Sequence, residues 1–417
     1  MNILITSHES LLPMVGGNRK AMYSSARILS ELGHNVTFIS WGEEQSYTKY
    51  LAKIKVIHRM TKTSNDVYKQ FGANTSLPDL IYQIGSELGI PQILSLLSRG
   101  PVAPSLFDID LNNFDLIIKE GPDMNSLING GHESIPKVYR LHWLGLPTYV
   151  RNLNNWKEFT RPEKIDNLFL PLSIKKFIDY IVTNIELSTL ESGNILTVST
   201  MDEAKAIQHK PDISHLKTVT LPIISDDRNL EKCKKSMEFF EARPYVIFFS
   251  TQNRSSEFAV LYIYRLSKLM PSINFVIVGK INVNQNIPTN TPNYKILGYL
   301  AESEFYDLIK NATAIIFPKI YGHGLQMKLV ESFRFHKPII TTSPLYNELP
   351  DLREGDDIIV EDDPETFGHA IEQVLDSDGL QRKLNYNSKK YYESHLSPEA
   401  HKNGLRNYLE KVISTGV

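Results

Sequence analysis

Cysteine is nearly absent from this chain: of 417 residues, only Cys233 carries a thiol. One cysteine excludes an intrachain disulfide and a cysteine-rich metal site and fits a reducing compartment, so Cys233 reads as a spectator. Long apolar runs are missing as well. No segment is uniformly apolar over about 18 residues, and the opening run NILITS lacks the basic start and apolar stretch of a secretory signal, so a soluble cytoplasmic protein is expected. Neither sign of charge dominates: 45 Lys and Arg against 47 Asp and Glu leave a net charge of -2, without an arginine stripe or basic tail, which disfavours a nucleic-acid partner. The chain shows no internal repeat, low-complexity tract or Cys/His ligand cluster. The acidic pair Asp108 and Asp110 falls in an irregular stretch and reads as an ordinary loop pair.

What is present is an α/β grammar, written twice. At this length, with 41% hydrophobic residues, the chain is expected to form two domains. The first starts with the strand 2–7, passes through the glycine loop Gly16-Gly17, enters a helix with Met22, Ala26, Leu29 and Leu32 inward, stops at Gly33 and continues into the strand 36–40. This is a βαβ unit whose glycine loop lies at the carboxyl edge, where open parallel sheets bind ligands. Further buried strands are expected at 116–119, 137–141 and 194–198. Residues 47–107 are less regular, with helical candidates at 80–88 and 91–97. A polar tract at 225–235 marks a boundary near 226. A second series follows: strands 245–249, 274–278 and 295–297, helices 258–269 and 302–310, and a predominantly helical tail over 397–413. The expected domains are residues 1–225 and 226–395, with residues 396–417 as a terminal helix crossing back to the first.

The most informative stretch is 311–342, NATAIIFPKIYGHGLQMKLVESFRFHKPIITT. It reads as a buried strand over 314–317, a glycine turn over 321–324, a helix over 326–335 with Leu329, Val330 and Phe333 inward, and a strand over 338–342. A glycine turn opening a helix presents free N–H groups and the positive helix end to an anion such as a diphosphate. Lys328 and Glu331, three residues apart, project to one side, where the cation can meet phosphate and the carboxylate can accept ribose hydroxyls. The competing reading is a solvated ion pair.

These segments, in this order, resemble the retaining glycosyltransferases of family 4: Gly16-Gly17 with GHNVTFIS, IPKVYRLHW, ILTVS, NFVIVG, YKILGYLAESEFYDLIKNATAIIFP and GLQMKLVESFRFHKPIITT. The resemblance covers most of the chain. It implies the GT-B fold, two Rossmann-like doubly wound domains facing across a cleft, with acceptor on the amino-terminal side and nucleotide sugar on the carboxyl-terminal side. It further implies a ribose contact for Glu331, a diphosphate contact for Lys328, backbone contacts from Gly324 and Leu325, and Gly298 and Tyr299 bordering the base. His142 is implied to touch the donor sugar or shape the reaction centre; the alternative is a core histidine satisfied by backbone.

Two departures accompany the resemblance. His323 stands where the family often has a glutamate, eight positions before Glu331, so it is a sugar-orienting candidate, with a plain loop histidine as the alternative. The loop after the first strand of the second domain, FFSTQNRSSEF, lacks the family's glycine and lysine, leaving Arg254 as the cation available to the diphosphate or as an unrelated exposed arginine. The implied activity is metal-independent sugar transfer, with retention, from a nucleotide-diphosphate sugar, a UDP- or GDP-sugar, to a glycan, lipid-linked or other hydroxyl acceptor, with no separate cofactor. The rivals are a nucleotide-sugar epimerase or hydrolase of the same fold and a non-catalytic glycan-binding or scaffold subunit. Segment 168–182, with Lys175 and Lys176 among large apolar residues, is read as a helix packed in the first domain, with peripheral contact at the inner membrane face as the alternative.

Overall fold

The computed structural model describes residues 1–7, 11–12, 17–42, 47–60, 110–120, 135–141, 148–149, 195–198, 217–220, 244–250, 254–281, 287–319, 321–322, 327–346, 349 and 351–414. Two compact units emerge, Met1–Leu146 with Leu168–Ile224 and His401–Val417, and Pro147–Asn167 with Ser225–Ala400. The expected boundary at 226 lies beside the start of the long second segment. Residues 147–167, expected in the first domain, group with the second unit, where strand β7 (Thr148–Tyr149) pairs antiparallel with β15 (Tyr321–Gly322). The expected turn at 321–324 therefore opens on a two-residue ribbon rather than turning at once.

The first unit is an eight-stranded sheet in the order β3-β4-β2-β1-β5-β6-β8-β9. Its strands are β1 (Asn2–Ser7), β2 (Asn35–Gly42), β3 (Tyr47–Leu51), β4 (Ile54–Met60), β5 (Leu116–Glu120), β6 (Lys137–Leu141), β8 (Ile195–Val198) and β9 (Lys217–Thr220). All pair in parallel except the β3–β4 hairpin. Helix α1 (Gly17–Glu31) buries Met22, Ala26 and Leu29 and ends at Gly33, which takes a φ of +92° as the left-handed C-cap. The β3–β4 hairpin fills part of the stretch read as irregular, while the helical candidates at 80–88 and 91–97, Asp108, segment 168–182 and Cys233 lie outside the described residues. Asp110 caps the short turn Leu111–Asn113 through the amide of Asn112 at 3.1 Å, a structural task in keeping with a loop acid.

The second unit is a seven-stranded sheet, β12-β13-β11-β10-β14-β16-β17. Its strands are β10 (Tyr245–Phe249), β11 (Asn274–Val278), β12 (Asn290–Thr291), β13 (Tyr294–Ile296), β14 (Ala314–Phe317), β16 (Ile339–Thr341) and β17 (Ile359–Val360). The helices are α2 (Arg254–Leu269), α3 (Glu302–Asn311), α4 (Met327–Phe333), α5 (Ser343–Tyr346), α6 (Pro364–Asp376) and α7 (Asp378–Tyr391). Setting aside the antiparallel edge strand β12, the parallel strands run 3-2-1-4-5-6 in chain order, the doubly wound Rossmann arrangement. Apolar runs such as AIIF in β14 and NFVIV in β11 are buried along their whole length, as strands covered on both faces require. Asp363 caps α6 by accepting from the Glu365 amide at 2.9 Å, with Pro364 in the first turn.

The final helix α8 (Pro398–Ser414) sends Leu405, Tyr408 and Leu409 into the core of the first unit, among Ile3, Ile5, Leu29 and Ile118.

Candidate functional site

In an open parallel sheet the ligand crevice lies beyond the carboxyl ends of the strands, where the winding reverses. In the second unit that point falls between β10 and β14, which pair in parallel. The chain leaving β10 passes Ser250 and starts α2 at Arg254; the chain leaving β14 reaches α4 through the ribbon strand β15.

Across this switch point the Lys328 ammonium donates to Ser250 Oγ at 2.6 Å, a contact between residues 78 apart in sequence. Ser250 Oγ in turn shares a hydrogen bond with Ser256 Oγ in the first turn of α2, and Ser256 is fully buried. One lysine thus ties the exits of the two central strands. Behind it the backbone is drawn tight: the Ser250 amide donates to Val278 O at 3.1 Å, and the Gly279 amide donates to Gly298 O at 2.8 Å. A Cβ on Gly279 would stand 1.8 Å from Ser250 O, and its φ is +124°, so no side chain fits there. Gly298 also takes a left-handed φ, +69°, and the next residue, Tyr299, is 82% exposed. On the other side of β14, the Lys319 amide donates to Thr342 Oγ1 at 3.2 Å, and Thr342 Oγ1 bonds back to Lys319 O, which pins the exits of β14 and β16 together.

Helix α4 is shorter than expected. The spacing predicts 326–335, whereas the helix spans Met327–Phe333, and Arg334 to His336 form a turn closed by His336 at φ +54°. The left-handed residue ends the helix where glycine would be the usual choice. Leu329, Val330 and Phe333 are buried, as their spacing predicts. With two turns only, the helix dipole is a small contribution, and the Lys328 charge carries the electrostatics.

Glu331, with 19% of its side chain exposed, meets Arg334 Nη1 at 3.9 Å. Arg334 also donates to Tyr306 Oη at 3.3 Å, and Tyr306 donates to Glu302 Oε1 at 2.7 Å. Burial first, and then the bond to Glu302, push the Tyr306 phenol well above its ordinary range, so it stays a neutral donor.

Of the residues singled out in sequence, the structure brings Lys328, Glu331, Gly298 and Tyr299 to this edge of the second sheet or its neighbouring loops. Arg254 opens α2 at the same edge. Gly17 begins α1 in the first unit. Gly16, His142, His323, Gly324 and Leu325 lie outside the described residues. Sequence reasoning missed Ser250, Ser256, Gly279 and Arg334. Gly279 had a signal, as the glycine closing NFVIVG, and Arg334 had one in its spacing of three from Glu331; Ser250 had none, because Lys328 is 78 residues away.

Residues 243–377 match the family model described as glycosyl transferases group 1. The matched stretch lies within the second unit. No curated protein matches the chain. Among solved structures, the sucrose-phosphate synthase of Thermosynechococcus elongatus is similar with a TM-score of 0.65 and 11% identity, over 99% of this chain and 99% of that one. The E. coli trehalose-6-phosphate protein bound with UDP-2-fluoro glucose follows at 0.63 and 11%, over 98% of this chain and 99% of that one. Anabaena HepE in complex with UDP matches at 0.58 and 12%, over 99% of this chain and all of the other. At these identities the likeness is one of fold, and the fold is GT-B. Among the described residues, no helix is long and apolar enough to cross a membrane.

Proposed function

We propose that this chain is a retaining glycosyltransferase that moves a sugar from a nucleotide-diphosphate donor, a UDP- or GDP-sugar, to a hydroxyl acceptor without a metal ion. The observation that carries this reading is the Lys328 ammonium held at 2.6 Å from Ser250 Oγ across the switch point of the group 1 domain, one helical turn before Glu331. An ammonium has three N–H donors, so it can hold Ser250 and a phosphate oxygen together. Departure of the diphosphate builds negative charge on the leaving oxygen, and a fixed cation there stabilises the transition state more than the ground state. Arg254, at the start of α2 on the same edge, supplies a second cation with a forked donor set. Glu331 accepts the ribose hydroxyls, and the exposed ring of Tyr299, beside Gly298, borders the base. His142, Gly324 and Leu325 are assigned to the sugar and phosphates by resemblance, His323 is a sugar-orienting candidate in place of the family's glutamate, and Gly16 and Gly17 form a ligand-binding glycine loop.

The neighbouring structures with UDP and UDP-2-fluoro glucose support the donor class. Retention fits front-side substitution, in which a donor phosphate oxygen takes the acceptor proton as the new bond forms, so no carboxylate pair is needed at the sugar carbon.

The test is a thermal-shift panel of UDP, GDP, ADP and their sugars, repeated on Lys328→Ala and Glu331→Ala. One nucleotide class should stabilise the parent protein, and each substitution should weaken it while the unliganded melting temperature stays put. Turnover that survives EDTA supports metal independence. Release of an epimerised nucleotide sugar without acceptor would turn the reading to an epimerase, and a folded protein that binds no nucleotide would turn it to a scaffold subunit.

A further inference from the structure

We infer that Arg334 is a positioning residue for Glu331, holding that carboxylate in the one orientation that meets the ribose hydroxyls of the nucleotide. The inference rests on the reading of α4 given above. Arg334 lies in the turn just beyond α4, and its side chain is fully buried, whereas Glu331 keeps partial exposure. The guanidinium is held from two elements. Its Nη1 is 3.9 Å from Glu331 Oε1 on α4 and 3.3 Å from Tyr306 Oη on α3, and its central carbon is 5.1 Å from the centroid of the Tyr306 ring. Tyr306 is itself anchored to Glu302 at 2.7 Å.

Nε and Nη2 of Arg334 have no hydrogen-bond partner among the described residues. A guanidinium withdrawn from water and only partly bonded is destabilising unless a carboxylate offsets it. The carboxylate brought within 4 Å is Glu331. A free glutamate samples many rotamers and loses that freedom when it grips a ligand. A cation fixed behind it by an aromatic ring selects the bound rotamer beforehand, as a supporting shell does for any preorganised site.

The experiment measures dissociation constants by calorimetry for UDP, GDP and ADP, then compares the tightest binder with its 2′,3′-dideoxy analogue. The ribo-over-dideoxy preference isolates the hydroxyl contact. Glu331→Ala should reduce it about tenfold or more, the scale of a hydrogen bond to a charged group. Arg334→Met should reduce it about fivefold while leaving affinity for the dideoxy analogue nearly unchanged. Arg334→Lys, which keeps a buried cation without the planar fork, should fall between, and it decides the matter if the Met variant does not fold. A purely structural arginine would lower the melting temperature and leave the preference intact. An intact preference in the folded Arg334 variants, with Glu331→Ala still deficient, overturns the inference and spares the nucleotide reading. An intact preference in Glu331→Ala, or no nucleotide binding by the parent protein, overturns both.

Discussion

The carboxyl edges of the two sheets are built differently. In the second unit the two strands at the switch point, β10 and β14, stay apolar to their last residue, and polar groups appear only beyond their ends, at Ser250 and Lys319. In the first unit charge enters the sheet itself. Ser40, Ser7, Glu120 and Arg140 stand in one register row across β2, β1, β5 and β6, all buried, with Arg140 Nη1 at 3.3 Å from Glu120 Oε1. Lys119 is buried beside them. The second unit therefore keeps its chemistry on a rim carried by a dry scaffold, whereas the first gives up stability to place ions inside the sheet, because buried pairs rarely recover their desolvation cost.

The rim of the second unit is most vulnerable at Gly279, where it depends on close backbone approach. Gly279→Ala should cost on the order of 4 kcal/mol, since the added carbon collides with Ser250 O, and denaturant melts should place the loss in the second unit. In the first unit, Arg140→Met should destabilise by about 3 kcal/mol by removing the cation beside a buried Glu120. Adding Glu120→Gln should restore most of that loss, and a double variant no better than the single would mean that the pair is not the source. Lys328→Ala tests the rim as chemistry rather than scaffold, with an expected fall in kcat/KM of about 100-fold and little change in melting temperature. Ser250→Ala should do the same to a smaller degree, about tenfold or less, since it loosens the lysine without removing the charge.

The smallest effect separates the units by pH. Burial lowers the pKa of His336 below its ordinary value of 6.5 in the second unit, with nearby Lys389 adding to the effect. Burial, with help from the terminal ammonium, does the same to His34 in the first. A histidine whose folded pKa is depressed supplies stability that is complete above the unfolded pKa and lost as pH falls through the folded one, because the unfolded chain binds the proton first. Both units should thus weaken on acidification below about 6.5. His336→Gln should flatten the stability profile of the second unit alone, which unfolding curves at stepped pH would show.

Much of the fold was legible because the strands of a doubly wound sheet are short apolar runs closed by glycine or a polar residue. Residues 245–249 and 274–278 read this way and form β10 and β11. The hairpin of β3 and β4 was illegible because its strands, YTKYL and IKVIHRM, mix charge with apolar residues as an edge does, and they look irregular without their partner. Helix α7 was missed for a related reason, since only Leu384, Ser388 and Tyr391 are buried along its 14 residues. At the site, Lys328 and Glu331 were legible from helical spacing, but Ser250 was not. Ser250 is brought to Lys328 by tertiary folding alone. Arg334 stands three residues beyond Glu331, a spacing that pairs side chains on a helix, but the stop at Phe333, before the turn closed by His336, cannot be read from residues with ordinary helix propensity.

Helix α8 closes the core of the unit that contains the chain's first strand, through Leu405, Tyr408 and Leu409. During synthesis the earliest strands therefore leave the ribosome with an apolar face that stays open until residues 405–409 follow, after nearly all of the second unit has been made. Domains made first ordinarily fold first. Here the later-made unit can finish first, and the earlier one waits with an exposed surface that a chaperone, or a neighbouring nascent chain, can occupy.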